Sequence, residues 1–89
     1  MIKLVAIEPQ GGTSLLLRFS DGFWGVFDCA WLVKANTEMT TPLGDAEFFS
    51  RHFIEAGALA WPNGFDLSGH SLHRRLEESG DLHRDAAAA

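Results

Sequence analysis

The segment FSDGFWGVFD, residues 19–28, decides how this chain folds. It places Asp21-Gly22 between two apolar runs, and Asp-Gly in that position is a strong β-hairpin signal because type I′ turns need two positive φ angles. Over residues 14–20, a strand would place Leu15, Leu17 and Phe19 on one apolar face, which predicts the first strand of the hairpin. Residues 23–27 form the second, in which Gly25 predicts either a bulge or a segment packed directly against the backbone.

Signals for a further strand, a short helix and a loop flank this hairpin in the sequence. Residues 2–8 alternate as a strand does and end at a Pro- and Gly-containing turn, so they predict a third strand. Asp28 stands where an N-cap would begin a short helix over residues 29–33. Residues 34–44 carry Asn, Thr, Pro and Gly without periodicity and therefore predict a loop.

A second signature, ALAWPNGFDL at residues 58–67, follows another short helix. Asp45 is the predicted N-cap of that helix, and the Ala56-Gly57 pair between apolar residues predicts a second hairpin. Residues 62–64, Pro-Asn-Gly, then reverse the chain again before a brief strand.

The last predicted element is a helix capped by Ser68 or Ser71 and ended by Gly80. These elements predict an α+β fold: a small antiparallel β-meander and a second β-hairpin, with two short helices and a C-terminal helix. Residues 1–79 are predicted to form one domain, because 89 residues allow a single core. Residues 80–89 end in DAAAA and are predicted to be a disordered tail.

Composition narrows the classes of function. The formal net charge is -5 and the basic residues are scattered, which disfavours direct binding to nucleic acid and favours a basic protein partner. The single cysteine, Cys29, excludes an internal disulfide, and a buried structural thiol is expected. Neither a signal peptide nor a membrane span is evident, so a cytoplasmic location is expected.

The order and spacing of these segments resemble the small bacterial family called domain of unknown function 2442. The similarity runs from Ile2 to about Leu76. The positions that match the family pattern are Asp21, Gly22, Asp28, Trp61, Asn63, Gly64 and Asp66. The resemblance implies a compact α+β fold like the NE-type N-terminal domain, and it transfers no catalytic residue.

The resemblance also implies a role. Many members lie beside a gene for a small toxin-like protein, which suggests that they are antitoxins, and some relatives carry a helix-turn-helix DNA-binding domain. This sequence departs from the family pattern in a longer loop before Pro42 and in His73, where a Tyr is common. Both departures concern the surface expected to face a partner.

Two sets of residues invite a chemical interpretation. Three carboxylates, Asp21, Asp28 and Asp66, could share acid–base roles, but each lies beside a turn or a helix start, where a short acceptor has a structural use. On the last helix, His70, His73 and Glu77 approach the spacing of a zinc site but lack a fourth ligand. We therefore predict no catalytic residue, no metal and no cofactor.

The aromatic residues give the sharper functional hypothesis. The predicted partner surface consists of Trp24, Trp31, Trp61 and His73. Trp24 is the strongest candidate, because it lies on the strand face opposite Phe23 and Phe27 and needs either a covering element or a partner.

The favoured function is a non-catalytic protein–protein interaction module, in particular an antitoxin-like partner of a small basic toxin. Two alternatives stay open: an enzyme that depends on a metal or small ligand and uses His70 and His73, and an accessory dimer of a transcriptional regulator. A homodimer is also left open, whereas binding to a membrane is not expected.

Overall fold

The computed structural model describes residues 1–84, and seven strands and three helices follow one another along them. The elements are β1 (Leu4–Gly11), β2 (Ser14–Phe19), β3 (Phe23–Asp28), α1 (Ala30–Ala35), α2 (Ala46–Phe49), β4 (Phe53–Glu55), β5 (Ala58–Ala60), β6 (Asp66–Leu67), α3 (Gly69–Ser79) and β7 (His83–Arg84). A 3₁₀ turn, Thr41–Gly44, precedes α2. The predicted α+β class is confirmed.

The strands form two antiparallel sheets. The large sheet has the order β1-β2-β3-β7, and the small sheet has the order β4-β5-β6. Leu4 at the start of β1 donates its amide to the carbonyl of Gly57 over 2.8 Å, which joins the large sheet to the hairpin turn of the small one.

The hairpin of β2 and β3 is confirmed, but its turn is not of type I′. In this turn only Gly22 has a positive φ, 88°. The turn closes through a 3.1 Å hydrogen bond from the Gly22 amide to the Phe19 carbonyl, and the Asp21 carboxylate accepts the Phe23 amide over 3.1 Å. Asp21 thus acts as an Asx-turn acceptor and keeps a negative φ, with Gly22 taking the left-handed position of a longer loop.

The type I′ pattern occurs instead in the hairpin of β4 and β5. Ala56 and Gly57 both have positive φ, 50° and 83°. An alanine in the left-handed region is strained, because its Cβ crowds the following carbonyl. The predicted second hairpin is therefore present, with a strained residue at its tip.

Replacing Ala56 by glycine is expected to raise the free energy of unfolding by about 0.5–1 kcal/mol. Relief of the left-handed strain is worth roughly 1–2 kcal/mol, and the greater freedom of glycine in the unfolded chain offsets about 0.5–1 kcal/mol of that. Urea denaturation measures the difference. The matched control is Ala58→Gly in β5, which should lower stability, and equal responses of the two variants would contradict the assignment of strain to Ala56.

One hydrophobic core joins both sheets and the helices. Its largest fully buried side chains are Leu4, Leu15, Leu17, Cys29, Leu43, Leu59, Trp61 and Leu72. The C-terminal part of α3 approaches β3 at Gly25, where an added Cβ would lie 2.5 Å from the Asp81 carbonyl oxygen and 3.0 Å from the Leu76 side chain. Of the two predictions for Gly25, the segment packed against the backbone is confirmed.

Helix ends follow the predicted chemistry at most positions. The Asp45 carboxylate accepts the Phe48 amide over 3.2 Å, Ser68 caps α3, and Gly80 ends that helix in the left-handed conformation. The N-cap position of α1 is Cys29, one residue after the predicted Asp28, but the Asp28 carboxylate accepts the Ala30 amide at the helix start, as predicted. No helix within the described residues is long and apolar enough to span a membrane.

The C-terminal boundary also differs from the prediction. His83 and Arg84 fall within the predicted disordered tail, but they form β7, which pairs with Trp24 and Phe23 of β3. This pairing was missed because a two-residue strand has no readable periodicity and depends on a neighbour distant in sequence. The rest of the predicted tail, residues 85–89, lies outside the described residues.

Candidate functional site

Trp24 lies on the outer face of the large sheet, as predicted. Its indole packs against His83 at a tilt of 42° with ring centroids 4.9 Å apart, and the Arg18 guanidinium carbon lies 6.0 Å from its ring centroid. Arg18 also donates to the Glu8 carboxylate over 3.1 Å. Strand β7 therefore covers part of Trp24 and leaves its indole half-buried rather than freely displayed.

Trp31 is the more exposed indole, at 36% of its surface. It projects from α1 beside Phe27, whose ring meets it edge-on at 6.1 Å, and the guanidinium carbon of Arg75 lies 3.8 Å from its centroid. An arginine stacked on an indole at this distance makes a cation–π contact. The face of Trp31 therefore already binds a guanidinium within the chain.

We name the depression beside this indole the Trp31 groove. It has a volume of about 220 Å³, and its walls include Val26, Phe27, Asp28, Trp31, Arg75 and Asp81. Val26 is 41% exposed, so the groove combines accessible apolar surface with two carboxyl groups and the Arg75 guanidinium. Strand β3, helix α1 and the end of α3 each contribute a wall.

Asp28 is held in its charged form. Its Oδ1 accepts the Ala30 amide and the Thr13 hydroxyl, each over 2.9 Å. The hydrogen bond from the Ala30 amide, followed by that from Thr13, lowers the pKa of the Asp28 carboxyl below its usual value. Asp81 on the other wall accepts from the Ser79 hydroxyl over 2.9 Å. Both carboxyl groups are oriented by hydrogen bonds.

Trp61 was predicted as part of the partner surface, but it is only 1% exposed. Its Nε1 donates to the Phe49 carbonyl over 3.0 Å, and its ring packs against Phe49 and Phe65. The indole is thus satisfied inside the core. It cannot contact a partner while this fold is intact.

His73 also points inward rather than to a partner, with 13% of its side chain exposed. Its Nε2 lies 2.8 Å from Oδ2 of Asp21, and its ring meets Phe19 and Phe23 edge-on at 5.1 and 5.9 Å. This side chain ties helix α3 to the hairpin turn. The sequence does not indicate this contact, because the two polar partners are 52 residues apart.

Replacing His73 by alanine is expected to lower the free energy of unfolding by about 1–2 kcal/mol, through loss of the Asp21 contact and of the edge-on ring contacts. His73→Tyr should be far better tolerated, because a phenol keeps an aromatic ring and a donor. A double-mutant cycle with Asp21→Ala, followed by urea denaturation, should give a coupling energy of roughly 1 kcal/mol. Additive effects of the two alanine changes would contradict a direct link.

The three candidate acidic residues do not meet in one site. Asp21 lies in the turn before β3, Asp28 is the last residue of β3, and Asp66 lies in the separate strand β6, opposite Ala60. Within residues 1–84, no group of three or more His, Cys, Asp or Glu side chains could hold a metal ion. The His70, His73 and Glu77 set accordingly does not form such a group.

Cys29 is completely buried in the core. Burial, and secondarily the negative charge of Asp28, raises the pKa of its thiol to about 12. A thiol in this environment stays protonated at neutral pH and is a poor nucleophile. Its place in the core agrees with the predicted structural role.

Asn63 and Gly64 form the turn that precedes β6. Gly64 has a φ of 90°, and Oδ1 of Asn63 accepts the Phe65 amide over 3.1 Å. The same side chain donates through Nδ2 to the Met39 carbonyl over 3.0 Å, so it fastens the turn to the segment 34–44. The sequence does not indicate this hydrogen bond between Asn63 and Met39, which are distant along the chain.

The surface has a second depression that the sequence does not indicate. It has a volume of about 390 Å³ and lies between the end of β1 and the segment around α2, with Pro9, Gly11, Leu43, Ala46, Phe49 and His52 among its walls. We name it the β1-edge cavity. Burial lowers the pKa of His52, whose ring lies 6.1 Å from that of Phe49. No motif marks it, because its walls come from separate segments.

Comparison with known proteins agrees with the resemblance seen in the sequence. No curated protein and no solved structure matches the chain. A family model, described as protein of unknown function (DUF2442), matches residues 4–78 and so includes both hairpins, α1, α2 and nearly all of α3. The chain therefore belongs to the family of proteins of unknown function DUF2442.

Proposed function

We propose that this protein is a non-catalytic interaction module that binds a basic protein partner at the Trp31 groove. The observation that carries the proposal is the exposed indole of Trp31 beside the oriented carboxyl groups of Asp28 and Asp81. Tryptophan is enriched among the residues that contribute most to binding energy in protein interfaces. A groove of this composition fits an arginine or lysine side chain with apolar neighbours.

The contact between Arg75 and Trp31 supports this choice of partner. The indole already accepts one guanidinium at 3.8 Å, so its geometry suits a cationic side chain. A partner arginine could stack on the outer part of the same ring or displace Arg75. The carboxylate of Asp28, which is fixed by two hydrogen bonds, would then offset the added positive charge.

The overall charge favours the same partner. With a formal net charge of -5, the protein attracts a basic molecule at long range, and this attraction raises the association rate at low salt. The gene arrangement implied by the family resemblance supplies a concrete candidate. We propose that the partner is a small basic toxin-like protein encoded beside this one and that binding occludes its active surface.

Isothermal titration calorimetry with the product of the adjacent gene tests this function, together with relief of its toxicity on co-expression. Trp31→Ala should weaken binding by about tenfold or more, as loss of a central aromatic contact does. Asp81→Asn keeps the hydrogen-bond acceptor, removes the charge and should weaken binding mainly at low salt.

Glu55→Gln in β4 is the matched control for Asp81→Asn, because it removes an exposed carboxylate outside the groove. It should leave affinity close to that of the unaltered protein. Absence of both binding and relief of toxicity would refute the antitoxin role. An affinity that is unchanged in Trp31→Ala would refute the Trp31 groove as the binding site.

A further inference from the structure

We propose that the free edge of β1 is a strand-addition site for an extended basic segment of a partner protein, which inserts one apolar side chain into the β1-edge cavity. This site is distinct from the Trp31 groove, because the two share no lining residue. It would hold a main-chain ligand rather than a single side chain.

The first support is the backbone of β1. In the part of the chain that the structure describes, β1 is an edge of the large sheet, with β2 as its only ladder partner. Proline has no amide proton, so Pro9 fits this strand with its nitrogen directed away from β2. The register is regular between Ala6 and Pro9, and alternation therefore directs the amide and carbonyl of Ile7 away from β2 as well.

The small sheet occupies only the beginning of this edge. Its turn accepts the Leu4 amide at the Gly57 carbonyl, whereas residues 8–11 further along β1 are exposed. An added strand would therefore find a short accessible stretch in which Ile7 supplies an amide donor and a carbonyl acceptor and Pro9 supplies a carbonyl acceptor only. Strand addition of this kind gains affinity from main-chain hydrogen bonds and specificity from pockets that receive alternate side chains.

The second support is the position of the cavity. Pro9 pairs with Leu15, whose side chain lies in the core, so Pro9 faces the same side of the sheet. A strand laid beside β1 would direct every second side chain to that side, toward Phe49 and Leu43. At about 390 Å³, the cavity has room for a large apolar side chain.

The acidic charge of this surface favours a basic segment as the occupant. Three exposed carboxylates lie near this region: Asp45, which caps α2, Glu8, which also pairs with Arg18, and Glu47, which also pairs with Arg51. Lysine or arginine residues flanking the inserted apolar side chain would suit them. A second copy of this chain fits less well, because both molecules are acidic.

The test uses the whole protein and a capped octapeptide of alternating lysine and valine with one central leucine. In ¹H–¹⁵N correlation spectra, the peptide should shift the amides of residues 5–11 and 43–52 and slow hydrogen exchange at Ile7. A peptide of the same sequence that is N-methylated at alternate residues should bind about tenfold more weakly, because it cannot complete the ladder. A glutamate-for-lysine peptide should bind more weakly too.

Two protein variants locate the inserted side chain. Ala46→Leu fills the cavity from the exposed start of α2 and should weaken peptide binding by about tenfold, whereas Ala35→Leu makes the same change at the exposed end of α1 and should not. Trp31→Ala should leave peptide binding unchanged.

Three results would overturn the inference. They are equal binding of the N-methylated peptide, loss of peptide binding in Trp31→Ala, and protection of β1 that depends on protein concentration alone. The last result would identify a second copy of the chain as the occupant. Because the peptide does not involve the toxin-like partner, failure here leaves the test of the proposed function intact.

Discussion

Replacing Trp61 by alanine is expected to lower the free energy of unfolding by about 3–5 kcal/mol, the usual cost of removing a buried tryptophan. Its side chain is 1% exposed and packs against Phe49 and Phe65, so truncation leaves a large cavity in the shared core. A small domain has a total stability of roughly 5–15 kcal/mol. We therefore expect this variant to lose a large part of its total stability.

Trp61→Phe separates the hydrogen bond from most of the packing. It removes the donor that reaches the Phe49 carbonyl over 3.0 Å and should cost about 1–3 kcal/mol. Trp24→Ala is the control on the outer face, where a half-buried indole should cost only about 1 kcal/mol. Urea denaturation followed by far-UV circular dichroism measures all three. A larger loss for Trp24 than for Trp61 would contradict the placement of the core.

Local signals were sufficient for most of the fold. The hairpin at Asp21-Gly22 and the caps at Asp45, Ser68 and Gly80 depend on residues a few positions apart, and the structure has them where they were expected. The type of the turn at Asp21-Gly22 could not be predicted from this dipeptide alone. The Asp21 carboxylate accepts the Phe23 amide, and this contact lets a dipeptide typical of type I′ turns adopt another geometry.

The candidate site was harder to predict, because exposure depends on which layers meet. Trp31 and Trp61 are the same residue type in similarly apolar surroundings, yet one is 36% exposed and the other 1%. Whether a helix or a strand covers an indole is decided by contacts between distant segments. The link between His73 and Asp21 and the strand pairing of His83 are further long-range features with no local pattern.

Gly69→Ala is expected to lower the free energy of unfolding by about 1–3 kcal/mol or more, as overpacking of a tight site does. An added Cβ would lie 2.8 Å from the Ile2 carbonyl oxygen, 2.9 Å from that of Gly57 and 2.9 Å from the Leu4 nitrogen. All three contacts are backbone atoms, which cannot rotate away as a side chain does. The Leu4 amide and the Gly57 carbonyl are also the pair that joins the two sheets.

Helix propensity predicts the opposite sign for this change. Alanine is favoured over glycine by about 1 kcal/mol in a helix interior. Gly69 is the first residue of α3, so an effect on the helix alone would stabilise the protein by less than that amount. The control is Gly44→Ala, where the nearest atom to an added Cβ is the Val33 side chain at 3.4 Å, and stability there should stay within about 0.5 kcal/mol. Urea denaturation, with amide exchange at Leu4 as the local probe, distinguishes the two. A stabilised Gly69→Ala variant with unchanged exchange at Leu4 would show that steric exclusion at this junction is not what requires glycine.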